Sequence, residues 1–216
     1  VSLILDRAEQ KGTGRLAAIA ALELGVAAPS ISESVSARIL SSKKQERVSS
    51  SKIYKKPEAK HPYLDIVDMK KALLAAKISS YAQGFDVLSA ANKEFDWDMS
   101  LADIAKNWRA GCIIRADFLD EVAEAFRTET KLANLIMAPH FSSILKDSIP
   151  SLRRVVKWAV TRGIPSPVLS ASLSYFDTYT SLNLPANLIQ GQRDYFGSHG
   201  FERVDKAGYY TNDWNQ

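Results

Sequence analysis

Asp65-Ile66-Val67-Asp68-Met69-Lys70-Lys71-Ala72-Leu73-Leu74-Ala75-Ala76-Lys77-Ile78-Ser79-Ser80-Tyr81-Ala82-Gln83-Gly84-Phe85-Asp86-Val87-Leu88-Ser89-Ala90-Ala91-Asn92-Lys93-Glu94 reads as one helix from end to end. Asp65 starts the pattern, and Phe95-Asp96-Trp97-Asp98 breaks it. Met69, Leu73, Ala76 and Ser80, followed by Gly84, Val87 and Ala91, mark the expected core face. At 1.5 Å per residue the helix is about 45 Å long. Such a rod buries its apolar side only against several neighbours, so it sets the architecture around it.

Those neighbours are helical too. Upstream, Gly14 precedes a run of strong helix formers over residues 15–24, and Gly25 stands at the C-terminal cap position. Pro29-Ser30 opens the next helix, with Ser30 and Glu33 at capping-box spacing, and this helix fades into serines and lysines near residue 51. Downstream, Ser100 caps a helix to about Trp108, and Asp117 begins another that ends near Thr130. Pro139 leads a short helix, and Ser148 with Pro150 opens a separate one that Gly163 and Pro165 close. Ser166 or Pro167 starts a helix to about Thr180, and Pro185 starts the last, which Gly197 ends. No segment alternates with period two between turn signals, so strands are minor. The expectation is an all-α, bundle-like domain of about ten helices covering residues 1–216.

The 216 residues, 46% hydrophobic and 24% charged, are enough for a core without disulfide or metal staples and argue against wholesale disorder. The single cysteine, Cys112, excludes an internal disulfide and any CxxC site, and a reducing compartment is its simplest home. Residues 16–29, the longest apolar stretch, are short and carry Glu23, so no membrane span is expected. Val1-Ser2-Leu3-Ile4-Leu5-Asp6 lacks the basic start and apolar core of a secretory signal, and the absent initiator methionine points to a processed chain or a fragment. The formal charge of +4 is concentrated in residues 41–60, which hold seven basic residues and two acidic ones. That segment reads either as a basic arm for a polyanion or as a solvated helix end. With Tyr54 its only aromatic, it does not carry a nucleic-acid assignment.

There is no GxGxxG, Walker A, HExxH or EF-hand pattern. His61, His140 and His199 have no nearby cysteine or carboxylate cluster, so no metal site is expected. Two stretches stand out instead. Gln10-Lys11-Gly12-Thr13-Gly14 lies directly before a helix: its glycines let the backbone approach a ligand, and the free amides of the first turn carry partial positive charge. With Lys11 and Thr13 alongside, this is either a phosphate cradle or an ordinary glycine turn with an exposed lysine. Gln190-Gly191-Gln192-Arg193-Asp194-Tyr195-Phe196-Gly197-Ser198-His199 puts Arg193 in the last turn of a helix and His199 just beyond it. Arg38 falls between Ile31 and Val35 on a helical wheel, where it either snorkels to water or meets an anion held by the fold.

These stretches resemble one family. Gln10–Gly14, Glu33-Ser34-Val35-Ser36-Ala37-Arg38, Lys77-Ile78-Ser79-Ser80-Tyr81-Ala82-Gln83-Gly84-Phe85, Trp108-Arg109-Ala110-Gly111-Cys112-Ile113-Ile114-Arg115, Leu184-Pro185-Ala186-Asn187-Leu188-Ile189-Gln190 and Gln192–His199 are similar, in that order, to 6-phosphogluconate dehydrogenase. The likeness runs from the first helix to Trp214 and is to the helical C-terminal domain of that enzyme. It implies a cytoplasmic homodimer of the pentose phosphate pathway that oxidises 6-phosphogluconate with NADP, releasing carbon dioxide and ribulose 5-phosphate. It also implies a nucleotide-binding Rossmann domain, and a catalytic lysine and glutamate, upstream of the KGTG motif; this chain carries neither, and no catalytic residue is assigned in it.

By position, the resemblance gives Lys11, Thr13 and Arg38 to the substrate phosphate and has Arg193 and His199 reach it from the partner subunit. The chain departs from the usual pattern at Arg15-Leu16 after KGTG, at Ser36 before Ala37-Arg38, and at Ser198 and Gly200 around His199. These changes neighbour the anchor residues without replacing them. A catalytically silent helical binding or assembly module that retains the fold is the alternative, and nucleic-acid binding through residues 41–60 is a third.

Overall fold

The computed structural model describes residues 1–57 and 63–214, so His61 and Lys60 lie outside the described residues. Among those described, nine α-helices and one short 3-10 turn account for nearly all regular structure: α1 (Thr13–Glu23), α2 (Pro29–Ser42), α3 (Lys44–Ile53), α4 (Ile66–Glu94), α5 (Leu101–Asn107), α6 (Leu119–Thr128), the 3-10 turn (Leu135–Met137), α7 (Pro139–Val160), α8 (Pro167–Thr180) and α9 (Ala186–Gly197). A two-stranded antiparallel ribbon, β1 (Phe201–Glu202) with β2 (Tyr209–Tyr210), follows α9. The class is all-α. The chain forms two compact units, Val1–Phe176 and Asp177–Gln216.

In the first unit α4 is the central rod, packed on α7, α2, α5 and the 3-10 turn. Asp65 caps it, its carboxylate accepting from the Val67 amide at 2.9 Å. The buried face differs from the expected one. Ala76 and Ala91 are buried, but Met69 and Leu73 are exposed; the core side is Ala72, Ala75, Ile78, Ser79, Ala82, Gln83 and Phe85. The face has turned because α4 is enclosed from more than one direction: alanines and a serine let neighbouring backbones come close, while Ile78 and Phe85 fill the gaps. Leu119, Val122, Leu135, Phe141, Leu145 and Leu152 complete that core.

Local signals and tertiary demand diverge at four other places. The expected helix over residues 30–51 is two, α2 and α3, broken at Lys43 (ψ 50°). Ser34, Ser41, Ser42, Ser50 and Ser51 turn their hydroxyls onto carbonyls three residues back, competition that weakens a helix. Ser30 forms no capping box. It is buried, its amide donates to Gln83 Oε1 at 2.8 Å, and its hydroxyl accepts from Gln83 Nε2 and pairs with the Ser172 hydroxyl, each at 2.9 Å.

Pro139 and Pro150 do not lead separate helices, since α7 runs through Pro150. An internal proline costs about 3 kcal/mol. Burial of Phe141, Leu145, Leu152 and Val155 on this helix contributes about 1.5–3 kcal/mol each and outweighs it. Finally, Gly197 belongs to α9, and Ser198 takes the left-handed turn that ends it (φ 50°).

Candidate functional site

α1 starts at Thr13 with Gly12 as its N-cap residue, and Gly12 adopts φ 112°, which suits only glycine. No side chain caps this end, so the first-turn amides face outward with the exposed Lys11 and Thr13 beside them. Gly14 lets α1 lie against α2, because a Cβ there would come within 3.0 Å of Val35 Cγ2. The preceding strand of chain is strapped to α2. Ser41 Oγ accepts from the Ala8 amide at 2.9 Å, and Arg38 donates to the Glu9 carbonyl.

Lys11, Thr13 and Arg38 therefore belong to one local construction: a helix N-terminus, the loop that enters it, and the helix that holds the loop. Arg38 is exposed, and its guanidinium orders the loop. Cationic donors fixed by backbone and a helix N-terminus suit a phosphate or carboxylate.

The neighbouring basic segment is less available to a polyanion than its sequence suggests. Lys44 and Arg47 both bind Asp6, Arg47 Nη1 at 3.0 Å, and hold its carboxyl well below the usual carboxylate range, Arg47 more than Lys44. Lys43 pairs with Glu46 at 3.3 Å. Among the described residues no group of three or more His, Cys, Asp or Glu side chains gathers as a metal site, and no helix is long and apolar enough to cross a membrane.

Arg193 and His199 lie in the second unit, at the C-terminal end of α9, and both are exposed. Arg193 Nη1 donates to Gln190 Oε1 at 3.0 Å, one turn back. The His199 ring folds against Gly197, where a Cβ would stand 2.9 Å from its Nε2.

Between these two residues sits one that sequence reasoning missed. Asp194 is 1% exposed. Its Oδ1 accepts from the Gly200 amide at 2.9 Å and Thr211 Oγ1 at 2.7 Å; its Oδ2 accepts from the Asn212 amide at 2.9 Å and Trp214 Nε1 at 2.8 Å. Burial pushes its pKa up, but the four donors, led by Asn212, overcome this and bring it down to about 2. An aspartate inside a helix reads as solvated; its one sequence clue was its place between Arg193 and Tyr195.

Residues 1–214 match the family model described as 6-phosphogluconate dehydrogenase, C-terminal domain. The chain is 48% identical over 217 residues to a decarboxylating 6-phosphogluconate dehydrogenase of Lactococcus lactis subsp. lactis, covering 99% of this chain and 46% of the relative. It is 46% identical over 219 residues to an NADP(+)-dependent, decarboxylating 6-phosphogluconate dehydrogenase of Bacillus subtilis, with the same two coverages. Among solved structures, Plasmodium falciparum 6-phosphogluconate dehydrogenase, described in apo form and in complex with NADP+ and with 6-phosphogluconate, superposes with a TM-score of 0.93. That match has 41% identity and covers 99% of this chain and 47% of the other. The chain spans about half the length of these relatives, and the half it spans settles its kinship: it belongs to the 6-phosphogluconate dehydrogenase family, as the C-terminal domain.

Proposed function

We propose that this chain is the substrate-phosphate-binding and dimerisation part of an NADP-dependent oxidative decarboxylase that converts 6-phosphogluconate to ribulose 5-phosphate and carbon dioxide in the cytoplasm. The observation that carries this reading is the α1 entry, where Lys11, Thr13 and the uncapped amides stand on a loop that Arg38 orders. Family membership and the substrate in the Plasmodium structure's description support it.

In this reading Lys11, Thr13 and Arg38 grip the phosphate from one subunit, and Arg193 and His199 reach it from the other. Charge-assisted bonds contribute roughly 1.5–3 kcal/mol each, so three give a gross of about 4–9 kcal/mol before the cost of association. That is micromolar-class binding at best. The grip is on the end of the substrate remote from the reacting hydroxyl, and its use is to position that hydroxyl for hydride transfer. NADP supplies the hydride acceptor when bound. Among the described residues no glycine-rich strand-to-helix turn fits a dinucleotide, so no step through the nucleotide is assigned to them.

Isothermal titration of 6-phosphogluconate into the chain, with Lys11→Ala and Arg193→Ala beside it, tests the reading. Saturable binding that each variant weakens at least tenfold is expected. Heat no greater than that of the variants counts against an assembled phosphate site and favours the silent-module alternative.

A further inference from the structure

We infer that Asp194 is a positioning residue for His199: its buried carboxylate holds the turn after α9 in the form that presents the imidazole. The inference rests on the reading of Arg193 and His199 as phosphate ligands. A carboxylate in the last turn of a helix opposes the helix dipole, so stabilising α9 is not what places one there. What it does is collect donors from residues 200–214. Two of them, Asn212 and Trp214, dock the tail, and the Trp214 ring also lies edge-on to Tyr195 and reaches Gly191. The Gly200 amide, by contrast, belongs to the residue next to His199.

Gly200 is at φ 73°, and a Cβ there would stand 2.9 Å from the Tyr209 ring. Ser198 is left-handed as well, so His199 sits between two residues in the left-handed region. Such a turn needs an external clamp. The Asp194–Gly200 bond is that clamp, and Gly197 leaves room for the ring.

The chemistry of an amide makes this bond separable from the others. In Asp194→Asn, the Oδ2 position faces two obligate donors, an amide N–H and an indole N–H, so the retained oxygen stays there. The NH2 takes the Oδ1 position, where the Thr211 hydroxyl can reverse and accept from it but the Gly200 N–H cannot. The substitution therefore keeps the tail docked and frees the His199 turn.

The test is steady-state kinetics with 6-phosphogluconate on the complete dehydrogenase, with thermal melts as the fold control. Asp194→Asn, His199→Ala, the double variant and Thr211→Val are compared. Expected is a KM about tenfold higher for Asp194→Asn with kcat within about twofold, no further rise when His199→Ala is added, and an unchanged KM for Thr211→Val. An unchanged KM in Asp194→Asn, or a multiplicative effect in the double variant, overturns the positioning role while the phosphate reading stands. An unchanged KM in His199→Ala overturns the phosphate reading and this inference with it. Should Asp194→Asn fail to fold, Asp194→Glu, which displaces the same acceptors, is judged by the same criteria.

Discussion

Arg38 donates to the backbone carbonyl of Glu9, two residues before Lys11, so a cation in the middle of α2 fixes the loop that enters α1. Removing it acts twice, by deleting one charge and by loosening the loop that places another. Arg38→Ala is expected to weaken 6-phosphogluconate binding by more than tenfold, with Arg38→Lys between it and the parent because an ammonium cannot reproduce the planar fork. Calorimetry reads the affinity. Hydrogen exchange reads the loop, with faster exchange over residues 8–12 and unchanged exchange in α4.

Gln83 joins α4 to α2 through Ser30, whose amide and hydroxyl both bond to it, and on to α8 through Ser172. All three residues are buried. Gln83→Leu fills the volume but leaves the Ser30 amide unsatisfied, so a loss of about 1–3 kcal/mol in urea unfolding is expected. A double variant, Gln83→Leu with Ser30→Ala, still leaves that backbone N–H unpaired and is not expected to recover the loss.

Asp68 on α4 accepts from Arg154 Nε and from Ser151 Oγ of α7, each at 2.8 Å. The Arg154 bond, helped by Ser151, lowers its pKa from 3.8 to about 2. A carboxylate with a depressed folded-state pKa stabilises fully above its unfolded value and loses that contribution as the pH falls through the folded one. The stability of the parent should therefore hold down to about pH 5 and fall between pH 4 and 2. Asp68→Asn should be less stable at pH 7, and the gap should close by pH 2. Urea midpoints across this range check the sign.

Pro150 interrupts the hydrogen-bond ladder of α7 from an exposed position, leaving the Lys146 carbonyl without its helical donor. Pro150→Ala restores the amide and is expected to raise stability by about 1–3 kcal/mol, read as a higher urea midpoint at unchanged slope.

Most helix ends were legible in the sequence because the groups that make them lie within one turn. Asp65 bonds to Val67, Ser100 to Asp103, and Gly25 takes its positive φ at the end of α1. The α1 entry was legible for the same reason. Lys11, Thr13, Arg38, Arg193 and His199 were assigned together through likeness to a family, since spacing alone left each with an ordinary surface reading.

What the chain determined by itself is the all-α class, most helix ends and the kinship, because these are written in short stretches whose backbone needs are met locally. Only the tertiary structure decided which side of α4 is buried, that α7 continues through Pro150, that Ser30 answers to Gln83 53 positions away, and that Asp194 is a hub. Each of those depends on which distant surface arrives to fill a gap or satisfy a buried polar atom, and no local pattern encodes the arrival.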